Sequence, residues 1–538
     1  MSDRRIGCSS WRIGCSPRQH LCSLKHGVTA ALCASLGVAV PRALAAATYY
    51  VDPETGSAAG TGAPEAPWAS PQDVIDADLI GSVVAPGDTL VLASGDYGEL
   101  RIEGFTNSEP ITLEAGEGAA AAFSRIVVRN SAGWVLRGVQ VEGEAAGYLI
   151  DLDGANEDIV VEECLLRSTG DTSSWTAQDW IQRASSGIAA EGKRLIIRKN
   201  QLTNVGYGIS VTATESLVED NVVDSFSRDG LRGLGNDTVF QYNTVKNCYA
   251  VDDHHDDGFQ SWSVGQDGSV GTGQVVGIIL RGNTFLSYED PEQPFRGTLQ
   301  GIGCFDGTYV DWVIENNVVI TDHWHGITLL GARGCRIVNN TVLDPNEERP
   351  GPPWISIDAH KDGTPPEGCL VSNNLATDYA NAEGVTEVNN EVIHDPAALF
   401  VDAQAYDVHL RDDSPAIDRG TSERAPLLDR DRIPRPQGSA VDLGAYEWHE
   451  PSVEPVVGGA SGLPEPSSRA GHGGVSGVNG GLAPQDDGEE GDGCGCRVAG
   501  AGAQGYSGWL GLAVLLALWG SVAAARPARD GRHVSPRG

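Results

Sequence analysis

The chain has 538 residues, with 69 glycines, a hydrophobic fraction of 40% and a formal net charge of −36. So large an acidic excess argues against nucleic acid as a partner, because no basic stripe is present to displace counterions from phosphates. It suits a neutral substrate, or an acidic one bridged by a divalent cation.

In chain order, the first segment reads as an export signal over residues 1–45. Arg4, Arg5, Arg12, Arg18 and Lys25 form a basic lead, Val28–Val40 is apolar, and Ala43-Leu44-Ala45 has the A-x-A form of a cleavage site. A short membrane anchor is the competing reading, but the apolar run is short for a span.

The middle of the chain repeats. Ile196-Ile197-Arg198-Lys199-Asn200, Leu217-Val218-Glu219-Asp220-Asn221 and Val239-Phe240-Gln241-Tyr242-Asn243 align on their asparagines. The same pattern returns at Asn283, Asn317, Asn340 and Asn374. A second line, at Gly187-Ile188, Gly208-Ile209, Gly230-Leu231, Gly258-Phe259, Gly301-Ile302 and Gly326-Ile327, runs in phase about a dozen residues earlier. The period is about 22 residues, too short for most helical repeats, and the mix of Ile, Val and Leu with glycine departs from leucine-rich repeats. The expected fold is all-β: a single-stranded solenoid in which each strand pairs with its counterpart in the next coil and inward Ile and Val stack into one core. Asparagines at equivalent turns should form a ladder, since they bond to backbone groups and tolerate left-handed conformations. Cys335 and Cys369 share an offset in adjacent coils and are expected as stacked free thiols, because parallel side-chain vectors suit a disulfide poorly.

The solenoid is expected to occupy residues 46–448. Residues 449–493 are rich in Gly, Pro, Ser and acid and read as a linker. The last segment, 494–538, holds Cys494-Gly495-Cys496, an apolar stretch from Trp509 to Ala525, and Arg526, Arg529 and Arg532. That order resembles the myxobacterial C-terminal sorting signal, which implies a secreted protein displayed on the outer cell surface. A plain tail anchor is the alternative. In both, the only membrane contact is this anchor.

The body resembles the right-handed parallel β-helix superfamily of pectate-lyase-like proteins. The likeness is carried by Tyr49-Tyr50-Val51-Asp52-Pro53, Pro86-Gly87-Asp88-Thr89, Ser414-Pro415-Ala416-Ile417-Asp418 and Asp442-Leu443-Gly444-Ala445-Tyr446-Glu447, together with the repeat. It implies a right-handed parallel β-helix with an N-terminal capping helix near Pro71 to Asp78, ahead of a first coil that includes Thr89-Leu90-Val91-Leu92. It implies a carbohydrate-active role only loosely, because the fold hosts lyases, hydrolases, epimerases, adhesins and inert surface proteins. The closing motifs around Asp418 and Asp442 read as cap-forming.

Chemistry concentrates at Asp252-Asp253-His254-His255-Asp256-Asp257-Gly258-Phe259-Gln260-Ser261-Trp262. In-phase stacking places Asp229, Asp257 and His325 on one face, with Arg232 and Gln260 beside them. Catalytic candidates are therefore His255, Asp257, Asp229, His325 and Arg232. Candidates for holding substrate are Gln260, Trp262, Trp324 and His254, the indoles offering flat faces to sugar rings. Asp252, Asp253 and Asp256 are candidate ligands for Ca²⁺. Three readings compete. A polysaccharide lyase or C5 epimerase would use a histidine base, with Arg232 or Ca²⁺ neutralising a uronate carboxylate. A glycoside hydrolase would use two carboxylates such as Asp229 and Asp257. A non-catalytic surface glycan-binding protein or adhesin would need neither, and a solvated acidic turn would explain the cluster without function. The lyase or epimerase reading leads, with a polysaccharide as partner and a monomer as the working unit.

Overall fold

The glycine line is a packing requirement. A Cβ at Gly208 would lie 2.2 Å from the carbonyl oxygen of Gly230, and one at Gly301 would lie 2.3 Å from that of Gly326. These residues are absent from the left-handed region. They are glycine because consecutive coils approach too closely for a side chain.

The computed structural model describes residues 46–346 and 349–450, with Val453 and Pro455. The export, linker and sorting segments fall outside the described residues, apart from the first residues after 448. The described chain winds as a right-handed parallel β-helix with three long faces. One ladder runs from Glu99–Glu103 through Ser186–Lys193, Leu231–Gly233, Asp257–Trp262 and Gln300–Asp306 to His325–Leu330 and beyond. A second joins it through the long strand Tyr148–Glu162, and a third of 12 strands closes the triangle. Ile188, Ile209, Leu231, Phe259, Ile302, Ile327 and Ile355 pair in register and are fully buried. Burying each is worth about 1.5–3 kcal/mol, and no coil can bury its own face alone.

The asparagine ladder is continuous. Asn200 N–H donates to Asn221 Oδ1 at 3.0 Å, Asn221 to Asn243 at 3.0 Å, and Asn243 to Asn283 at 3.0 Å. It continues through Asn317, Asn340 and Asn374 to Asn390, one coil past the repeat read from sequence. The left-handed residue is the one before each ladder asparagine: Lys199, Asp220, Tyr242, Asn316, Asn339 and Asn373 all have φ between 54 and 57°.

Those outward turn residues hold the end of the chain. The segment after Ser414 was expected to form a cap, but it runs back along the corner opposite the first ladder. Asn373 Nδ2 donates to Thr421 O, Asn339 Nδ2 to Asp442 O, and Asn316 Nδ2 to Leu428 O. Arg432 pairs with Asp220 at 2.8 Å and stacks on Tyr242. Leu399, Phe400, Leu443 and Ala445 cover Val318, Ile320 and Leu343 as a second apolar cluster. At the other end the helix Pro71–Asp76, capped by Ser70, sits as expected with Val74 buried. The five cysteines of the body are buried and free.

Candidate functional site

The first ladder widens where the chemistry lies. Its strands are three residues long at Ile209–Val211 and Leu231–Gly233, then six at Asp257–Trp262 and seven at Gln300–Asp306. The added corner is filled by Tyr309 and Trp312, both fully buried. Two rows of outward residues cross these strands. One contains Tyr207, Asp229, Asp257, Gln300 and His325, and the other Ser210, Arg232, Gln260, Gly303 and Thr328.

The two in-row carboxylates are stacked and buried. Asp257 N–H donates to Asp229 Oδ1 at 3.0 Å, and Arg232 Nε donates to Asp229 Oδ2 at 2.6 Å. The Arg232 guanidinium lies over the Tyr207 ring, 3.6 Å from its centroid, with the Trp262 ring 5.3 Å away. Burial opposes its charge, but Asp229, Tyr207 and Tyr148 together outweigh that and hold the arginine firmly protonated. Asp257 is 0% exposed. Its Oδ2 meets His255 Nδ1 at 3.2 Å and accepts from Gln260 Nε2 at 3.0 Å. Burial, with Asp229 alongside, pushes Asp257 up to about 8 against the pull of His255.

His255 is the accessible member, its side chain 38% exposed. It stacks on His254, whose Nδ1 lies 3.1 Å from Asp256 Oδ1. Asp256 is turned inward towards Cys248, and burial pushes it up to about 6. Asp252 instead caps His254 N–H at 3.0 Å and faces Arg228. Asp252 and Asp253 are exposed while Asp256 is buried, so the three carboxylates expected as a cation cage do not converge. Among the described residues no group of three or more His, Cys, Asp and Glu is placed to hold a metal ion.

His325 sits on the face as expected but is engaged. Trp354 Nε1 donates to Thr328 Oγ1 at 3.0 Å, which leaves the hydroxyl hydrogen for His325 Nδ1 at 3.0 Å. His325 N–H donates to His323 Nδ1 at 3.1 Å. Burial pushes both imidazoles down to about 4, so they are neutral and weakly basic at neutral pH. Phe305 and Trp354 pack on His325, and Trp324, 47% exposed, stacks on Trp354. Thr328 falls where the in-phase register puts it, whereas Trp354 and Phe305 were not singled out in the sequence. Trp354 does share the offset of His325, but the register contracts by a residue there and no glycine marks it.

The model of the right handed beta helix region matches residues 186–374. Among solved structures, the chain is 16% identical to pectate lyase Pel9A, covering 75% of this chain and 96% of that one with a TM-score of 0.38. It is 14% identical to the Azotobacter vinelandii mannuronan C-5 epimerase AlgE4 A-module, covering 56% and 88% at a TM-score of 0.33. It is 9% identical to PfbA, a surface adhesin of Streptococcus pneumoniae, covering 57% and 78% at 0.35. No match is found among curated proteins. What these comparisons share with the chain is the coil.

Proposed function

We propose that this face binds a polysaccharide and removes the C5 hydrogen of a uronic acid residue, by β-elimination or by C5 epimerisation. The observation that carries the reading is the His255–Asp257 pair, an accessible imidazole whose Nδ1 is met by a buried carboxyl. A hydrogen held between Nδ1 and Asp257 leaves the Nε2 lone pair as the base, and the second row fixes the ring. Arg232 stands one coil away, where its charge would offset the sugar carboxylate and the enolate that develops from it. Tyr207, Trp262 and Trp324 offer ring faces along the same strip.

Hydrolysis fits less well. It needs two carboxylates flanking a glycosidic bond, whereas Asp229 and Asp257 are both buried and joined by a hydrogen bond in adjacent coils. The export and anchor segments belong to the proposal: the body acts outside the cytoplasm as a tethered monomer, which protease treatment of intact cells tests.

The test of the reaction is incubation of the purified chain with pectate, alginate and glycosaminoglycans, with and without Ca²⁺, following absorbance from unsaturated ends and the epimer content of the polymer. Silence in both readouts on every polyanion would sink the reaction. Reducing ends without that absorbance would mean hydrolysis, and retention of polymer without turnover would mean binding alone.

A further inference from the structure

Gly303 breaks the second row. Every other position from Ala189 through Ser210, Arg232, Gln260 and Thr328 carries a side chain. Unlike Gly301, it does not face the carbonyl of the next coil, and its φ lies outside the left-handed region. What lies where its side chain would be is the site itself. A Cβ on Gly303 would stand 2.1 Å from Asp257 Oδ1, 2.8 Å from the Phe305 ring and 3.1 Å from Gln300 Oε1. Asp257 Oδ1 and Gln300 Oε1 are both buried, and neither has a hydrogen-bond partner.

We propose that Gly303 and Gln300 are positioning residues for the His255–Asp257 pair: the missing Cβ is the socket into which Asp257 Oδ1 folds, and Gln300 closes it. The inference rests on reading that pair as the acid–base pair. With Oδ1 seated over Gly303, the carboxyl is turned so that Oδ2 reaches both His255 Nδ1 and Gln260. A hydrogen on either group would supply the donor that these two buried oxygens lack. Either the Asp257 carboxyl carries it, or the Gln300 amide does after a half-turn that exchanges its oxygen and nitrogen. Both arrangements lock the same rotamer. A methyl at 303 cannot share the space, and the carboxylate end is the part free to swing away, so the fold survives while the pair separates.

The test uses the full chain with ring-¹⁵N histidine, at one fixed pH, with the His255 signals assigned by their loss in His255→Gln. Wild type is expected to show the Nδ1–H tautomer. Gly303→Ala is expected to lose that tautomer, to shift the thermal midpoint by no more than about 3 °C, and to lower turnover about tenfold or more with KM within about twofold. An unchanged tautomer in Gly303→Ala would overturn the proposal. If that variant fails to fold, Gln300→Leu is read in the same way. If wild type turns over no polyuronate, the proposed reaction falls, and the tautomer alone still decides the positioning.

Discussion

Replacing Asp257 by asparagine keeps the shape of the site and removes its buried titration. In the folded chain, burial and Asp229 raise this carboxyl to about 8. In the unfolded chain it returns to its ordinary value near 3.9. A raised acid stabilises the fold fully below the unfolded value, and that contribution is lost as pH rises through the folded one. The full window spans about pH 4 to about pH 8. Its clean part is pH 7 to 8, where the unfolded His255 imidazole has also released its proton and cannot offset the effect. There the wild type should lose about 1 kcal/mol relative to Asp257→Asn between pH 7 and pH 8, because the folded carboxyl is itself half-titrated at the upper end. Denaturant unfolding of both chains at pH 7.0, 7.5 and 8.0 measures the difference. Parallel curves would refute the reasoning, because they would mean that the carboxyl is ionised in the folded state throughout.

Other predictions follow from the packing. Asn317→Ala strips partners from Asn283 N–H and Leu280 O, both buried, and at about 1–3 kcal/mol for each orphaned group should cost about 2–6 kcal/mol in denaturant unfolding. Asn390→Ala, at the part-buried end of the ladder, should cost less. Trp324→Ala should weaken retention on a polymer column about fivefold and leave the thermal midpoint unchanged, because the indole is 47% exposed and, among the described residues, meets the rings of Trp354 and His323. Glu447→Ala breaks a fully buried pair with Arg435, should cost about 3–5 kcal/mol, and should open residues 421–447 to limited proteolysis.

The coil was legible because every turn of it repeats the same constraint. Ile or Leu after a glycine, and asparagine after a short apolar run, recur where stacking forces them to recur. The outward rows followed from that register, which is why Asp229, Asp257, Gln260 and His325 were placed on one face correctly. Their accessibility did not follow. Whether an outward carboxylate meets solvent depends on neighbours two coils away, and here Arg232, Tyr207 and Trp262 cover the pair. The acidic run misled for a related reason: Asp252 stays exposed and accepts from the His254 backbone N–H, whereas Asp256 is buried and meets the His254 ring, so the two carboxylates do not share a site. The returning segment was hidden because its contacts are with single turn residues such as Asn339 and Asn373, whose doubling with the ladder asparagine looked like part of the repeat.

The central claim is that His255 takes the hydrogen from C5 of a uronic acid residue, a step common to elimination and epimerisation and absent from hydrolysis. Incubating wild type and His255→Gln with polyuronates in deuterated water, and reading C5 by proton NMR, tests it most directly. The account predicts loss of the C5 proton signal with wild type, either to a double bond or to deuterium, and its retention with His255→Gln. Retention with wild type, or equal loss with both, would contradict it.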